Sequence, residues 1–277
     1  MKISHILTPA ILSLFIFEGC ISSRFYNTET PILMDINDDN RMAMAANIEI
    51  SAKTKRYEAQ AAYNVSGRMY VAGGLMHHQS VGDVLPDPFF SVLPSITADY
   101  RSRTNYGHGA VGYYWPVELS QGVSAIHLLA GIGIGGTKLH YTYNYPALSV
   151  PSPMPTFATV RNYDMSWQYS RLYLQGHYIV TGKSLRSTLG LRISRLQYFN
   201  GQIDSKIDTY EFYLIQKLDE KSPYALVEVP WEIGFHNNGR FFIGVGIINN
   251  VRTGGLPKMT NSMYIRSELA LGKRLKK

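Results

Sequence analysis

From Arg41 onward, apolar and polar side chains alternate with a period of two, the spacing that sends successive residues to opposite faces of a β-strand. The segment from Arg240 to Ile247 is the clearest: Phe241, Ile243, Val245 and Ile247 share one face, and Arg240, Phe242, Gly244 and Gly246 the other. Just upstream, Ala225, Val227, Val229, Trp231, Ile233 and Phe235 oppose Glu228, Pro230, Glu232 and Gly234, and His236 to Gly239 between the two segments reads as a hairpin turn. Residues 184–199 place Leu185, Leu189, Leu191 and Ile193 opposite Arg186, Thr188, Gly190, Arg192 and Ser194. The same reading predicts ten strands, at 41–53, 56–65, 68–79, 105–119, 124–143, 165–181, 184–199, 222–236, 239–251 and 262–275.

The connections carry a rhythm of their own. After a short first hairpin at Thr54-Lys55, short links at 66–67, 120–123, 182–183 and 237–238 alternate with long ones at 80–104, 144–164 and 200–221, and 252–261 is intermediate. An even strand number with short turns at one end and long loops at the other is the signature of a bacterial membrane barrel, and a soluble sandwich has no need of it. No run of 18 consecutive apolar residues exists, so a helical membrane protein is excluded. The predicted fold is all-β, a ten-stranded antiparallel up-and-down transmembrane barrel. Tyr63, Tyr113, Trp115, Tyr141, Tyr143, Trp231 and Phe235 fall towards strand ends and are expected in interfacial girdles. Within 200–221, Ile207, Tyr210, Leu214 and Leu218 have helical spacing, compatible with a short amphipathic helix or with a strand extension.

The first 19 residues add a destination. Lys2 precedes an apolar stretch, Ile6 to Phe17, that ends Phe17-Glu18-Gly19-Cys20, the layout of an export signal. Gly19 and Cys20 match the end of a bacterial lipobox, in which the Cys thiol takes a diacylglyceryl group, whereas Glu18 stands where a small or uncharged residue is usual. An ordinary export signal with an incidental Cys20 is the alternative. The expected organisation is a lipoprotein signal at 1–19, a periplasmic lead or linker at 20–40, and the barrel at 41–277. The N-terminus is then on the periplasmic side of the bacterial outer membrane.

Composition narrows the chemistry. Cys20 is the single cysteine of 277 residues, which excludes a disulfide framework and a cysteine-based zinc site. The net charge is +7 and survives signal removal, because the signal carries one Lys and one Glu. The cations are scattered singly apart from Lys273, Arg274, Lys276 and Lys277, a distribution that suits anionic headgroups better than nucleic acid.

The order of lipobox, proline-containing lead from Thr30 to Leu33, first strand, Tyr57 to Tyr63, Arg68 to Gly74, Gly109 to Tyr114 and the Gly-rich Leu129 to Gly136 resembles the small lipid-anchored outer-membrane barrel proteins of Bacteroidota. The resemblance covers most of residues 17–275 and implies location and fold, with the barrel-assembly machinery as a partner during biogenesis. The chain departs from it by ending Arg274-Leu275-Lys276-Lys277 rather than on an aromatic residue.

No catalytic set emerges. Gly131 to Gly136 has the spacing G-x-G-x-x-G, but a dinucleotide fingerprint needs a following helix. Ile126, Leu128, Ala130, Ile132 and Ile134 instead alternate with His127, Gly131, Gly133 and Gly135, a strand whose glycines make room for bulky interior side chains. His77 and His78 are adjacent and so face opposite ways, and His108, His127, His140 and His177 stand singly on their segments with no spacing that makes a metal site. Ser124 with His127 and Ser170 with His177 are odd separations, which puts each pair on opposite faces.

The polar faces are more coherent. Turning apolar faces to lipid sends Glu49, Glu58, Gln60, Glu118, Arg171, Gln175, His177, Arg186, Arg192, Glu228, Glu232, Arg266, Glu268 and Arg274 inward. Charges in a narrow lumen must pair or stay hydrated, so a network of Arg171, Arg186, Arg192, Glu228, Glu232, Arg266 and Glu268 is expected, with Arg186 and Arg192 reaching Glu228 and Glu232. Phe89 and Phe90, in a stiff proline-bounded loop, are candidates for partner contact or for capping the mouth. The expected function is a non-enzymatic, monomeric scaffold that displays loops and plugs its lumen with Arg and Glu. A small-solute pore and a lipid-modifying barrel enzyme are the alternatives. Apart from lipid on Cys20 no cofactor is expected, and the expected partners are membrane lipids and an envelope or surface protein.

Overall fold

A computed structural model describes residues 29–37, 40–50, 53–84, 97–118, 123–145, 159–203, 222–237, 240–252 and 262–271. They form ten strands: β1 (Met42–Ile50), β2 (Thr54–Ser66), β3 (Met69–Val84), β4 (Thr97–Glu118), β5 (Val123–Tyr145), β6 (Thr159–Thr181), β7 (Leu185–Ile203), β8 (Tyr224–Asn237), β9 (Phe241–Arg252) and β10 (Ser262–Leu271). Each pairs antiparallel with its sequence neighbour, and β1 also pairs with β10, Met42 opposite Leu271 and Ile48 opposite Ile265, so the sheet closes into a barrel. Closure leaves no strand edge unpaired, which a sheet in lipid requires. The short turns are set locally. Gly67 takes φ 54° between β2 and β3, a left-handed position that suits glycine, and Asn64 donates to its carbonyl at 2.9 Å.

The wall has two zones of opposite sense. Near the short-turn end the outward residues are apolar: Ile126, Leu128, Ile132 and Ile134 on β5, Leu172 and Leu174 on β6, Leu189, Leu191 and Ile193 on β7, Ile243 and Val245 on β9, all between 42% and 66% exposed. Ile126 to Ile134 spans roughly 20 Å of height for tilted strands, close to the apolar band of a membrane barrel. Such a surface around the circumference belongs against lipid.

Towards the long-loop end β3 to β7 continue, but the pattern inverts. Tyr100, Tyr106, Leu139, Tyr141, Tyr163, Met165, Trp167 and Tyr169 turn inward into one apolar cluster, while Asp99, Arg101, Arg103, Asn105, Lys138, Asp164 and Gln168 are exposed outside. Inside-apolar and outside-polar is the order of a sheet in water. The inversion explains why the strands outrun expectation: β3 reaches Val84 and β4 begins at Thr97, where a loop at 80–104 was expected because apolar-outward alternation stops near Leu75 and Gly107. Tyr141 is likewise corrected, from girdle to interior, where it is fully buried. Tyr63, Trp115 and Phe235 do face outward, at 52%, 39% and 68% exposure, and the Tyr113 and Trp115 rings lie 4.5 Å apart. Ile207, Tyr210, Leu214, Leu218, Phe89, Phe90, Cys20 and Arg274 lie outside the described residues, as do the side chains of Tyr143 and Glu118.

The Gly-rich stretch of β5 has the role its alternation implies. A Cβ at Gly131 would overlap the Tyr173 ring, at Gly133 the Tyr106 ring and at Gly135 the Tyr169 ring. Tyr106 and Tyr169 stack with centroids 5.8 Å apart.

The zoning fixes where charge is tolerated outside. Ala130→Arg, in the middle of the apolar band, should cost about 2 to 4 kcal/mol in a bilayer, whereas Gln197→Arg, exposed beyond the band on β7, should change stability by less than about 0.5 kcal/mol. Urea titration of vesicle-inserted protein measures both, and equal costs would refute the assignment of the band.

Candidate functional site

The site is the lumen, and it is occupied by the chain's own lead. Residues 29–36 were expected in a periplasmic linker; instead Ile32, Leu33, Met34 and Ile36 are each at most 1% exposed, inside the barrel. Ile32, Met34 and Ile36 pack against Ala43 and Ala45 of β1, Ala62 of β2, Ala72 of β3 and Ala110 of β4. These inward alanines leave the width that a second chain segment needs. A single extended segment hides no patterned face of its own, so nothing in its periodicity distinguished a lumen strand from a tether.

Buried backbone away from a sheet must find partners among side chains, and the wall supplies them. Arg192 Nη2 donates to the Glu29 carbonyl at 2.8 Å, Gln60 Nε2 to the Thr30 carbonyl at 2.7 Å and Gln175 Nε2 to the Ile32 carbonyl at 2.6 Å. In the other direction, the Thr30 amide donates to Glu58 Oε2 at 2.9 Å and the Asp35 amide to Glu268 Oε1 at 3.4 Å. The lead is therefore held at both ends by residues of β2, β6, β7 and β10.

Around it the charges fall into two groups of opposite arginines and glutamates. In the group nearer the long loops, Arg192 grips Glu228 through Nε and Nη2 at 2.6 and 2.9 Å, and Arg171 bonds both Glu228 and Glu29. Arg192 Nη1 lies 3.1 Å from Glu29. In the group nearer the short turns, Arg186 grips Glu268 through Nη1 and Nη2, both at 2.8 Å, and reaches Glu232 at 3.3 Å. Arg266 stands 3.4 Å from Glu268 and 3.6 Å from Glu232. All eight side chains are at most 4% exposed. Bidentate geometry of this kind is the strongest form of the pair.

The structure thus brings Arg192 to Glu228, directly opposite it in register, while Arg186 finds its shorter bonds across the lumen on β10 rather than with Glu232. Two charged participants escaped the sequence reading. Glu29 lies in the lead, and Arg56, 1% exposed, sits 3.2 Å from Glu49 on the inner face of β2. The alternation of Arg56 with Glu58 and Gln60 was the available signal.

The histidines do not assemble a metal site: among the described residues no group of three or more metal-binding side chains converges. His127 and His177, however, are register partners on β5 and β6, and their rings stack at 4.7 Å. His127 Nδ1 lies 3.2 Å from the Tyr70 hydroxyl and His177 Nδ1 3.1 Å from Gln175. Outside, His77 contacts Asn105 at 2.7 Å and His140 contacts Asp164 at 2.6 Å. Ser124 donates to the Val117 carbonyl at 2.8 Å.

No protein-family model and no curated protein matches the chain. Among solved structures, the transport unit of the autotransporter AIDA-I from Escherichia coli aligns over 86% of this chain and 93% of its own, with 8% identity and a TM-score of 0.33. The β-domain of the Bordetella autotransporter Brka aligns over 85% of this chain and 100% of its own, with 11% identity and a TM-score of 0.28. The ten-stranded closure itself rests on the strand pairing of this chain.

Pairing among buried side chains makes the charges interdependent. Arg192→Ala and Glu228→Ala should each cost about 3 to 5 kcal/mol, because each strands a buried partner. The double variant should cost clearly less than the sum, with a coupling above roughly 0.5 kcal/mol. Urea unfolding in detergent or bilayers gives the cycle, and additive losses would show that the two residues are hydrated and independent.

Proposed function

We propose that the protein is a bacterial outer-membrane barrel lipoprotein that acts as a closed, non-enzymatic scaffold and displays the loops between β3 and β4, β5 and β6, and β7 and β8. The observation that carries this reading is the occupied lumen: Glu29 to Ile36 lies along it, flanked by two charge groups in which Arg171, Arg186, Arg192 and Arg266 each meet a glutamate. The apolar band and the asymmetry of turn and loop lengths support the membrane setting. The likeness of the sequence pattern to lipid-anchored barrels of Bacteroidota supports a second tether through Cys20. In this reading the short turns face the periplasm, the barrel-assembly machinery inserts a monomer, and an envelope or surface protein engages the loops.

A gated small-solute pore is the second reading, and one observation favours it. The lead is bound by side chains and takes no place in the sheet, so it can leave without opening the wall. Both readings meet in one experiment. Purified full-length protein in planar bilayers should show no steady conductance steps, whereas a chain lacking residues 29–36 but keeping Cys20 should conduct. Steady steps from the unaltered protein would overturn the closed scaffold in favour of the pore. For the lipid tether, Cys20→Ala should abolish labelling by radioactive palmitate in cells, and a mutant that still labels would refute that assignment.

A further inference from the structure

The strongest unassigned feature is outside the barrel. Arg103 on β4 and Lys138 on β5 are directly opposite in register, both exposed on the outer face, with Arg101 exposed two residues further along the same face. Like charges directly across a strand pair repel. None of the three forms an ion pair among the described residues; the adjacent carboxylate, Asp164, lies 2.6 Å from His140 Nδ1, and Asp99 lies on the same face beyond Arg101. Arg103 and Lys138 line a groove of about 550 Å³ together with His77, Asn105, Gln168 and Gln202, and all three cations line an adjoining groove of about 830 Å³ that His140 and Asp164 also line.

The height of this cluster gives it meaning. Ile134, 61% exposed, is the last apolar outward residue of β5, and Lys138 is four residues beyond it, about 10 Å higher on a tilted strand. Long Arg and Lys side chains bend back towards the interface, which puts their charges at the level of lipid phosphates rather than of acyl chains or bulk water. A phosphate in the groove removes the repulsion that the strand register imposes.

We infer that Arg101, Arg103 and Lys138 form a lateral clamp for the phosphate groups of a phosphorylated glycolipid of the lipid A class, in the leaflet on the long-loop side. The inference rests on the outer-membrane reading above and adds to it a specific lipid site. The shared chemistry with free phosphate is separated by the assay.

Full-length protein in neutral detergent is titrated with bis-phosphorylated lipid A, with the same lipid after enzymatic dephosphorylation, and with inorganic phosphate, and binding is read by native mass spectrometry and by the melting temperature of the barrel. Lipid A should bind and raise the melting temperature, with an affinity that falls as salt is added. The dephosphorylated lipid should bind at least about tenfold more weakly. Arg101→Gln/Arg103→Gln/Lys138→Gln should weaken lipid A binding about a hundredfold, at about 1 kcal/mol per cation. Arg41→Gln/Arg68→Gln/Lys183→Gln, at the opposite rim, should leave it unchanged. Equal binding by the clamp variant, or of the dephosphorylated lipid, overturns the clamp. Protection by millimolar inorganic phosphate equal to that by lipid A overturns the lipid assignment in favour of a free-anion site. A barrel that co-sediments with outer membranes yet fails to bind lipid A sinks the clamp alone, whereas a chain absent from outer membranes sinks the reading beneath it.

Discussion

Among the described residues, four of the five arginines buried in the lumen, those of the two charge groups, are the constraint on which the interior depends. Arg171, Arg186, Arg192 and Arg266 are each at most 4% exposed, and a guanidinium cannot shed its proton to escape the cost of burial. Every one must meet a carboxylate at close range or the barrel loses several kcal/mol per unmatched ion. The wall meets the demand near the short turns with Glu232 and Glu268. Nearer the long loops, Arg171 and Arg192 share Glu228, and the lead brings Glu29 as the second carboxylate. The lead is thus a component of the charge balance as much as an occupant of the space.

The same electrostatic rule divides the outside. Within the apolar band no charge faces lipid from β5 or from the matching rows of β6, where Leu172 and Leu174 stand. Beyond Ile134 and Gly107 the outward positions become Asn, Asp, Arg, Lys and Gln, and the apolar side chains withdraw to the interior. One continuous sheet therefore reads as a membrane wall in its first half and as a water-exposed wall in its second. Tyr100, Tyr141, Tyr163 and Trp167 fill the interior of that second half, where the charge groups do not reach.

Strand number, order and the inward places of Glu58, Gln60, Arg171, Gln175, Arg186, Arg192, Glu228, Glu232, Arg266 and Glu268 were legible in the sequence because each rests on a period of two, which survives without knowledge of neighbours. Strand ends were not, because the inversion of faces beyond Leu75 and Ile134 keeps the period and changes its sense, and only the sense tells membrane from water. The lead was missed for a different reason. Pro31 to Ile36 is a short apolar run with no alternation, equally compatible with a tether, and its destination is decided by alanines on four other strands. Arg186 was assigned to the correct face but its bidentate partner, Glu268, lies three strands away across the lumen, a distance that register between neighbours cannot reveal. The stacked pair of His127 and His177 became visible only when β5 and β6 were aligned.

These contacts also couple the seating of the lead to closure of the barrel. Glu29 meets Arg171 across 142 residues of sequence, and the Asp35 amide meets Glu268 across 233. Contacts so distant in sequence form late, after the loop entropy they enclose has been lost to other pairings. Arg171, Arg192 and Glu228 lie on β6, β7 and β8, so the upper group can assemble once those three strands pair. Glu268 lies on β10, the strand that closes against β1, and until β10 arrives neither Arg186 nor the Asp35 amide has that partner. An open sheet with the lead withdrawn leaves Arg171 and Arg192 to a single glutamate, which is tolerable only while water still reaches them. Seating of the lead and burial of these charges are therefore coupled, and the lower charge group is completed by the last strand.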